Sequence, residues 1–457
     1  MELTIIGAGY VGLTTGAVLA ELGHVVTIVD CDRRKVDRLK EGIMPFYEPG
    51  LDGLVSDQLR TGRLQFENEI TITNQTELVM VCVGTPPNED GSPDLGALTS
   101  VVDDLAKQLL LGQIVLTKSS VPPGTNSWIC KRLSDAGIRE MDCPVVSNPE
   151  FLREGTAIED TRRPSRMVFG IDDRLSLAPR NELLERLYEL YRGIHSPLLV
   201  TNWEGAELVK YGSNAFLAAK ISYINELSCI CDAYGADIRD VSCGIGMDPR
   251  IGPDFLKAGL GYGGSCLPKD LSALAYCAES RGVTSHMFEE IGSINERQML
   301  AYAKQFLTEI DTERSSKINT EQKIRVAVWG IAFKPETDDT RMSPAITFMK
   351  QLLAWGVEVH AYDPMAIFSA HGLYLHDDPY AALLNADGLA VVTDWPVFAM
   401  NQVNWAFVKE TMRGSVVLDA RNIYHFGHLE KYGLIPVGIG RPLLQHQSII
   451  SEMRGNS

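Results

Sequence analysis

The sequence predicts an α/β fold in which two doubly wound parallel-sheet domains are joined by a long central helix. Short apolar, β-rich runs alternate with helical segments in both halves of the chain, a pattern typical of parallel sheets covered by helices. Between them, Trp203 to Tyr234 contains no proline and predicts one helix. A length of 457 residues suggests two or three domains. We predict an N-terminal domain over residues 1–200, a central helical region over 201–310 and a C-terminal domain over 320–457.

The first strand leads into a glycine pattern. An apolar run at residues 2–6 is followed by three glycines spaced as GxGxxG, and the next run, at residues 25–29, ends at Asp30. Such glycines permit a tight turn, a close approach of pyrophosphate to the backbone and close packing of the following helix. The acid would bind ribose hydroxyls and repel a 2'-phosphate, although Arg33 and Arg34 lie nearby at a helix start. The pattern predicts a Rossmann-like domain that binds NAD through Gly7, Gly9, Tyr10, Val11, Gly12 and Asp30.

The later strands also end in loops that can carry ligand contacts. Runs at residues 78–83 and 113–117 are followed by loops that contain glycine and proline, on the ligand-binding edge of the predicted sheet. The sequence predicts a helix that extends to about Phe306. The polar segment from Asp311 to Lys323, which follows it, predicts a linker. Runs at residues 324–329, 357–362, 388–393 and 415–419 predict the strands of a second, smaller domain, in which Asp363 repeats the position of Asp30.

Charge and cysteine usage exclude several classes of protein. With 42 Lys and Arg against 59 Asp and Glu, the formal charge is −17, which argues against nonspecific binding to nucleic acid or anionic membranes. The nine cysteines form neither a CxxC pair nor a Cys/His cluster with metal spacing, so we expect reduced thiols, no metal site and a cytoplasmic protein. No apolar stretch reaches the length of a spanning helix, and glycines interrupt the apolar N-terminus, so we expect neither a membrane segment nor a secretory signal.

Residues 261–270, with the sequence GYGGSCLPKD, closely resemble the active-site signature of the UDP-glucose/GDP-mannose dehydrogenase family. The likeness extends over nearly the whole chain, through residues 47–51, 83–87, 148–155, 207–216, 250–253 and 332–341. It implies an N-terminal NAD domain, a long connecting helix and a C-terminal domain for the nucleotide sugar. Members of this family oxidise a sugar C6 alcohol to a carboxylate with two NAD. A thiolate helps this chemistry, because its adduct with the intermediate aldehyde can lose a second hydride and become a hydrolysable thioester.

The resemblance implies a catalytic role for six residues. Cys266 would be the nucleophile, and the helix expected after it would favour the thiolate. Lys210 and Asn214, four residues apart on one helix face, would stabilise an oxyanion. The other three are Asp270, which would hold the lysine and a water, Glu150, which would act as an acid or base, and Ser120, which stands where the family usually has Thr. The alternatives are a capping acid for Asp270, first-turn helix acids for Glu150 and Glu154, and surface polarity for the helix pair.

The resemblance also implies binding contacts. Cofactor contacts beyond the glycine loop would come from Lys35, Thr85, Ser120, Glu154 and Arg341. Substrate contacts would come from Glu150, Phe151, Leu152, Glu154, Lys210, Asn214, Arg250, Phe255, Gly263, Lys334 and Arg421. Arg250 resembles an arginine that reaches into a neighbouring subunit, which implies a homodimer or a higher homo-oligomer.

The sugar remains open between two substrates. Residues 47–51 and 258–264 favour UDP-glucose, whereas Leu267 is common in members that act on GDP-mannose. Ser265 and Lys269-Asp270 disfavour the branch that acts on N-acetylated sugars. Two other classes are a noncatalytic NAD-binding scaffold, which the intact Cys266 and Lys210 argue against, and a two-electron hydroxyacid dehydrogenase, which would not need the thiol.

Overall fold

The computed structural model describes residues 1–316 and 322–442. The chain forms two compact units, of which the first contains Met1–Asn214 and Ser272–Thr284. The second contains Ala215–Leu271 and the described residues from Ser285 onward. The predicted central region, residues 201–310, is therefore divided between the two units.

The first unit is built on an eight-stranded sheet. Its elements are β1 (Glu2–Ile6), α1 (Tyr10–Glu21), β2 (Val25–Val29), α2 (Arg33–Lys40), α3 (Leu51–Thr61), β3 (Leu64–Glu67), β4 (Leu78–Val81), α4 (Gly96–Gln108), β5 (Ile114–Thr117), α5 (Thr125–Asp135), β6 (Val145–Ser147), α6 (Ala157–Arg162), β7 (Met167–Gly170), α7 (Leu177–Leu190) and β8 (Leu198–Thr201). The strand order is β3-β2-β1-β4-β5-β6-β7-β8, and all neighbours are parallel except β6 and β7. Strands β4 and β5 are buried throughout, as expected of central parallel strands.

Long helices precede the sheet of the second unit in the chain. They are α8 (Trp203–Tyr234), α9 (Ile238–Gly246), α10 (Leu267–Ser280) and α11 (His286–Ser315), and both α8 and α10 contribute residues to each unit. The predicted central helix is confirmed by the 32 residues of α8. No helix in the described ranges combines the length and the apolar character needed to cross a membrane.

The second unit contains a six-stranded sheet in which every neighbouring pair is parallel. Its elements are β9 (Arg325–Trp329), α12 (Pro344–Ala354), β10 (Glu358–Tyr362), β11 (Leu373–Leu375), α13 (Pro379–Ala382), β12 (Gly388–Val391), a 3-10 turn (Pro396–Phe398), α14 (Trp405–Thr411), β13 (Val416–Asp419), α15 (Phe426–Glu430) and β14 (Ile435–Gly438). The strand order is β11-β10-β9-β12-β13-β14. The predicted α/β fold with two doubly wound sheets and a long central helix is confirmed.

The predicted linker is wrong in its first part. Helix α11 does not end near Phe306 but continues to Ser315, while residues 317–321 of the predicted linker lie outside the described residues. Polar residues extend the helix because they contact the second sheet. Glu313 accepts hydrogen bonds from the N–H and hydroxyl of Ser415, and Arg314 pairs with the buried Asp387.

Candidate active site

The glycine loop of the first unit leaves space at one position. Gly7 has φ +108°, and a Cβ there would lie 2.6 Å from the Cys82 carbonyl oxygen, while a Cβ at Gly12 would lie 1.9 Å from the Gly7 oxygen. A Cβ at Gly9 would meet no atom within 4 Å. Helix α1 starts directly after Gly9, with no side-chain cap and no acid in its first turn. An uncapped helix N-terminus beside open space suits a pyrophosphate, so these residues fit the predicted dinucleotide.

Asp30 lies at the end of β2 and accepts three hydrogen bonds. Its donors are the Ala8 N–H at 2.9 Å, the Asp32 N–H at 3.0 Å and the Lys35 ammonium at 2.8 Å. Burial acts to raise the pKa of Asp30, but the hydrogen bonds from Lys35, Asp32 and Ala8 outweigh it and lower the pKa below its ordinary value. An ionised carboxylate has about four acceptor sites, so one remains for a ribose hydroxyl. Lys35 contacts Asp30 here, and its role toward adenosine stays a prediction.

Alanine at two of these glycines should have different effects. Gly12→Ala places a methyl group against backbone, so we expect Tm to fall by about 5 °C or more. Gly9→Ala should leave Tm unchanged, because its Cβ meets open space and its φ of −86° is ordinary for alanine. It should weaken NAD binding at least about tenfold, because the methyl group occupies the space for the pyrophosphate. Calorimetry with NAD and thermal melts check both results, and wild-type affinity in a stably folded Gly9→Ala variant would contradict this placement.

The loops after β4 and β5 are held together beside the glycine loop. The Thr85 hydroxyl donates to the Ser120 carbonyl oxygen at 2.7 Å, and the Ser119 hydroxyl donates to the Val83 carbonyl oxygen at 2.7 Å. Strand β4 lies beside β1 in the sheet, at the point where the strand order reverses. Ligands of open parallel sheets bind at such a switch point. The structure therefore brings Thr85 and Ser120 to the edge that carries the glycines.

Glu207, on α8, anchors the loop that contains Ser120. Its carboxylate accepts hydrogen bonds from the Gly124 N–H at 2.6 Å and from the Asn126 N–H and side-chain amide at 2.8 and 2.7 Å. Burial raises the pKa of Glu207 to about 7, although these hydrogen bonds oppose the rise. Sequence reasoning included Glu207 in a matching motif but gave it no role.

Glu150 and Lys210 form a buried ion pair in the first unit. Lys210 Nζ, on α8, donates to Glu150 Oε1 at 2.8 Å, and the Leu152 N–H donates to Glu150 Oε2 at 2.7 Å. The side chain of Glu150 is only 6% exposed and that of Lys210 only 4%. Phe151 packs under Lys210, with the ammonium 5.6 Å from the ring centroid. Asn214 is also buried, one helical turn after Lys210.

The segment from Glu150 to Glu154 is a loop, so the alternative that both are first-turn helix acids is wrong. Helix α6 begins only at Ala157. The buried Glu48 fixes the loop, because it accepts hydrogen bonds from the Gly155 N–H at 2.6 Å and the Ala157 N–H at 2.7 Å. Sequence reasoning missed this role. The signal available in the sequence was Glu48 itself, the one acid within the family-like motif at residues 47–51.

In the second unit, amide side chains fix the loop that leads to Cys266. Asn225 accepts from the Gly259 N–H at 2.9 Å, and Gln298 donates to the Gly259 carbonyl oxygen at 3.1 Å. Asn295 accepts from the Tyr262 N–H at 2.7 Å and donates to its carbonyl oxygen at 3.1 Å. Sequence reasoning missed Asn295 and Gln298, although their three-residue spacing places them on one face of α11.

The same loop packs closely against residues 333–344. A Cβ at Gly263 would lie 2.3 Å from the Met342 carbonyl oxygen, and a Cβ at Gly264, where φ is +82°, would lie 2.7 Å from the Phe333 ring. The Gly264 N–H donates to the Arg341 carbonyl oxygen at 3.0 Å. Close packing is therefore sufficient to require glycine at residue 263, and its predicted contact with substrate stays a prediction.

Cys266 is exposed and directly precedes α10. The Ser265 hydroxyl lies 3.6 Å from its sulfur. Asp270, in the first turn of α10, has a fully buried side chain that accepts from the Lys269 ammonium at 2.5 Å. A sulfur at a helix N-terminus lies in a positive potential, which favours a thiolate.

The second sheet forms a cleft at its own switch point, between β9 and β12. Leu260, Phe333, Thr393 and Arg421 are among the residues that line it. Arg421 donates to the Phe333 carbonyl oxygen at 3.0 Å and lies 3.3 Å from a carboxylate oxygen of Asp394. The ammonium of Lys334 lies 5.5 Å from the Phe333 ring centroid. Two of the predicted cations thus lie at or beside the cleft.

Asp363 matches Asp30 in position but not in its contacts. It accepts hydrogen bonds from the Ile331 and Ala332 N–H groups at 2.6 and 3.0 Å and from the Trp395 indole at 3.1 Å. Its other oxygen accepts from the N–H groups of Met365 and Ala366. Five donors already use this carboxylate, so we assign it to holding the loops of the second sheet together.

The remaining predicted side chains form local contacts on the surface. Arg250 pairs with Asp248 and Arg341 with Asp339, and both arginines are exposed. Phe255 is 38% exposed and has an unusual left-handed φ of 63°. Across residues 1–316 and 322–442, no cluster of His, Cys, Asp and Glu is placed to hold a metal ion.

The predicted site residues belong to both units. The first unit contains Gly7, Gly9, Tyr10, Val11, Gly12, Asp30, Lys35, Thr85, Ser120, Glu150, Phe151, Leu152, Glu154, Lys210 and Asn214. The second contains Arg250, Phe255, Gly263, Cys266, Asp270, Lys334, Arg341 and Arg421.

Comparison with known sequences finds one family along the chain. Its NAD binding domain matches residues 1–193, its central domain residues 204–297 and its UDP binding domain residues 327–426. A putative UDP-glucose 6-dehydrogenase of Bacillus subtilis, YtcA, is 42% identical over 97% of this chain and 100% of its own length. The UDP-glucose 6-dehydrogenase of Pseudomonas aeruginosa is 41% identical, over 98% of this chain and 99% of its own length.

Solved structures agree with this result. A UDP-glucose dehydrogenase from Pyrobaculum islandicum has a TM-score of 0.80 at 34% identity and covers 92% of this chain and 94% of its own. A UDP-D-ManNAc dehydrogenase from Pyrococcus horikoshii has a TM-score of 0.84 at 29% identity and covers 96% and 99%, respectively. The prediction of NAD as cofactor is confirmed by the match of the NAD binding domain. The chain therefore belongs to the UDP-glucose/GDP-mannose dehydrogenase family and is an NAD-dependent oxidoreductase.

Proposed function

We propose that this protein oxidises C6 of UDP-glucose to the carboxylate of UDP-glucuronate, with two NAD consumed per sugar. The observation that carries the proposal is the exposed Cys266 at the N-terminus of α10, in a loop fixed by three buried or half-buried amide side chains. Relatives of nearly equal length with 41% and 40% identity are named UDP-glucose 6-dehydrogenase, which supports this sugar. Arg421 and the adjacent Lys334 supply positive charge at the switch point of the second sheet, which suits an anionic nucleotide sugar.

The proposed chemistry assigns one covalent step to Cys266. Bound NAD supplies a hydride acceptor for each of the two oxidations. The Cys266 thiolate adds to the C6 aldehyde, and the C–S bond that forms gives a thiohemiacetal, which becomes a thioester after the second oxidation. Water then attacks the thioester carbonyl, the C–S bond breaks, and the sulfur leaves as the thiolate.

Buried polar groups of the first unit suit the charges that develop in these steps. Lys210 and Asn214 provide an ammonium and an amide as donors for an oxyanion. The Glu150 carboxylate can accept a proton from the sugar hydroxyl or from the hydrolytic water. NAD would lie in the open space at Gly9, where the N-terminus of α1 and Asp30 would hold it. Thr85 and Ser120 lie at the same edge of the sheet. The other predicted contacts, including Glu154, Asp270, Arg250 and Arg341, are part of this proposal.

An assay of three sugars tests the function. Purified protein with NAD should reduce two NAD for each UDP-glucose and release UDP-glucuronate. GDP-mannose is the alternative that Leu267 leaves open, and a UDP-N-acetylated sugar is the substrate class of the Pyrococcus relative. A higher kcat/KM for either of these would replace UDP-glucose as the proposed substrate. One NADH per sugar would refute the four-electron reaction.

We also propose a homodimer that forms through the second half of α8. This helix exposes Phe216, Tyr223 and Ile230 at seven-residue intervals, with side chains 64%, 54% and 50% exposed, and then Tyr234 at 82%. Residues seven apart lie on the same helix face, and a run of large exposed apolar side chains is typical of an interface. These exposed apolar residues lie along one face of α8. The same face of a second copy of the chain can therefore pack against it about a two-fold axis.

The dimer is tested by sedimentation at micromolar concentration. Wild-type protein should sediment as a dimer or a larger even-numbered oligomer, and Tyr223→Glu should shift it toward monomer, because a charge would be buried in an apolar contact. Tyr188→Glu, at an exposed tyrosine on α7, is the matched control and should leave the mass unchanged. A monomeric wild type, or a Tyr223→Glu variant of unchanged mass, would rule out this interface.

A further inference from the structure

Lys118 is a buried cation that the reaction described above does not use. It follows β5 directly, and only 7% of the residue is exposed. Its ammonium donates to Asn148 Oδ1 at 3.1 Å and to the Tyr191 hydroxyl at 3.3 Å, and it lies 5.6 Å from the Tyr191 ring centroid. Among the residues that the structure describes, no carboxylate pairs with it. Burial of an ammonium among neutral partners is unfavourable for stability, and ionisable groups in such surroundings are often functional.

The contacts of Lys118 fix the side chain of Asn148. Asn148 Oδ1 accepts from both the lysine and the Tyr191 hydroxyl, while its Nδ2 donates to the Val168 carbonyl oxygen at 3.0 Å. The Asn148 backbone N–H also donates to the Thr117 carbonyl oxygen at 2.8 Å. An ammonium has donors but no acceptor, so only one orientation of the amide suits this arrangement. Asn148 is therefore held from three sides.

Two residues later in the chain, Glu150 meets Lys210. The intervening Pro149 has a fixed φ, so the position of Asn148 strongly restricts where the Glu150 carboxylate can point. The ammonium of Lys118 and the carboxylate of Glu150 also share a neighbour, the thiol of Cys82. Burial raises the pKa of Cys82 to about 12, and within that shift Lys118 acts to lower the pKa while Glu150 acts to raise it. The two charges thus lie around one buried thiol.

We propose that Lys118 is a positioning residue, which clamps Asn148 and thereby the turn that presents the Glu150 carboxylate to Lys210. The inference rests on the proposed role of Glu150 in the oxidation. Lys118 acts through Asn148, because its ammonium donates to Asn148 and Tyr191 and its surface is almost fully enclosed.

Lys118→Met tests this role, because methionine keeps the length of the side chain but removes the charge and the donors. We expect kcat with UDP-glucose to fall about 10- to 100-fold, as for a small misplacement of a reacting group. KM for UDP-glucose and the affinity for NAD should stay within about threefold of wild type. Lys118→Arg should recover part of kcat. Lys131→Met, at an exposed lysine on α5, is the matched control and should leave all three quantities unchanged.

The result separates this inference from the proposed function. A wild type that does not oxidise UDP-glucose refutes the function, and the series is then run with the sugar that it accepts. If the wild type is active and Lys118→Met keeps kcat within about twofold of the wild-type value, the positioning role is wrong. If Lys118→Met does not fold, Tyr191→Phe decides, because it removes one hydroxyl from the clamp. It should lower kcat about three- to tenfold with an unchanged NAD affinity, and wild-type kcat would refute the inference.

Discussion

Replacement of Cys266 by serine is expected to lower the steady-state rate of UDP-glucuronate formation by at least about a thousandfold. The hydroxyl of serine ionises far less readily than a thiol, so it should not form the adduct from which we propose that the second oxidation proceeds. In the proposed mechanism the first oxidation needs no such adduct. A single turnover should therefore give at most one NADH per active site and no uronate, whereas the wild type should give two NADH.

The control for this variant is Cys243→Ser. Cys243 is also exposed, but it lies near the C-terminal end of α9 and not at a helix N-terminus. Cys243→Ser should keep the wild-type rate, and both variants should bind NAD with wild-type affinity because the glycine loop is unchanged. Two NADH per sugar at a rate within tenfold of wild type in Cys266→Ser would remove the thiol from the mechanism.

Burial makes most of the other thiols poor nucleophiles. It raises the pKa of six cysteines, including Cys82 and Cys130, which reach about 12, together with Cys143, Cys229, Cys231 and Cys277. The other three of the nine, Cys31, Cys243 and Cys266, are exposed. Of these three, only Cys266 directly precedes a long helix, the 14-residue α10. Its position therefore supports the nucleophile that the sequence motif indicates.

The parts of the fold that depend on local pattern could be predicted from sequence. Strands β1 and β2 have the predicted bounds, as does the long helix α8, because apolar period and the placement of glycine and proline decide them. Helix α11 was predicted too short, since the residues that extend it gain their contacts from strands and loops more than 70 residues further along the chain.

The candidate site likewise contains residues that the local sequence predicts and residues that it does not. Gly9, Asp30 and Cys266 are recognisable from their neighbours in the sequence. The groups that hold the site rigid are not, because each acts across a long stretch of chain. Glu48 contacts Gly155 over 107 residues, and Lys118 contacts Tyr191 over 73 residues. Such pairings arise only when the strand order brings the loop ends together, and no spacing rule in one sequence encodes that order.

The buried pair of Glu150 and Lys210 carries the second large prediction. Lys210→Ala removes the ammonium that pairs with a carboxylate only 6% exposed, so we expect the unfolding free energy to fall by about 3–5 kcal/mol. Loss of the oxyanion donor that we propose in Lys210 should also lower kcat about 100- to 1000-fold. Chemical denaturation and initial rates measure the two effects. Lys131→Met, which breaks the exposed pair with Asp135, should cost at most about 1 kcal/mol and leave kcat unchanged.

A double variant separates the two effects, because stability and catalysis require different things of the pair. Lys210→Met with Glu150→Leu replaces both charges by apolar groups of similar size, and such a replacement of a buried ion pair is often neutral for stability. We therefore expect the double variant to regain most of the lost stability but none of the lost kcat. If it regained both, the pair would only support the fold. If Lys210→Ala were as stable as wild type, the carboxylate would have another source of compensation, and the buried pair as described would be wrong. A stable and inactive double variant is the one outcome that requires the charges themselves in the reaction.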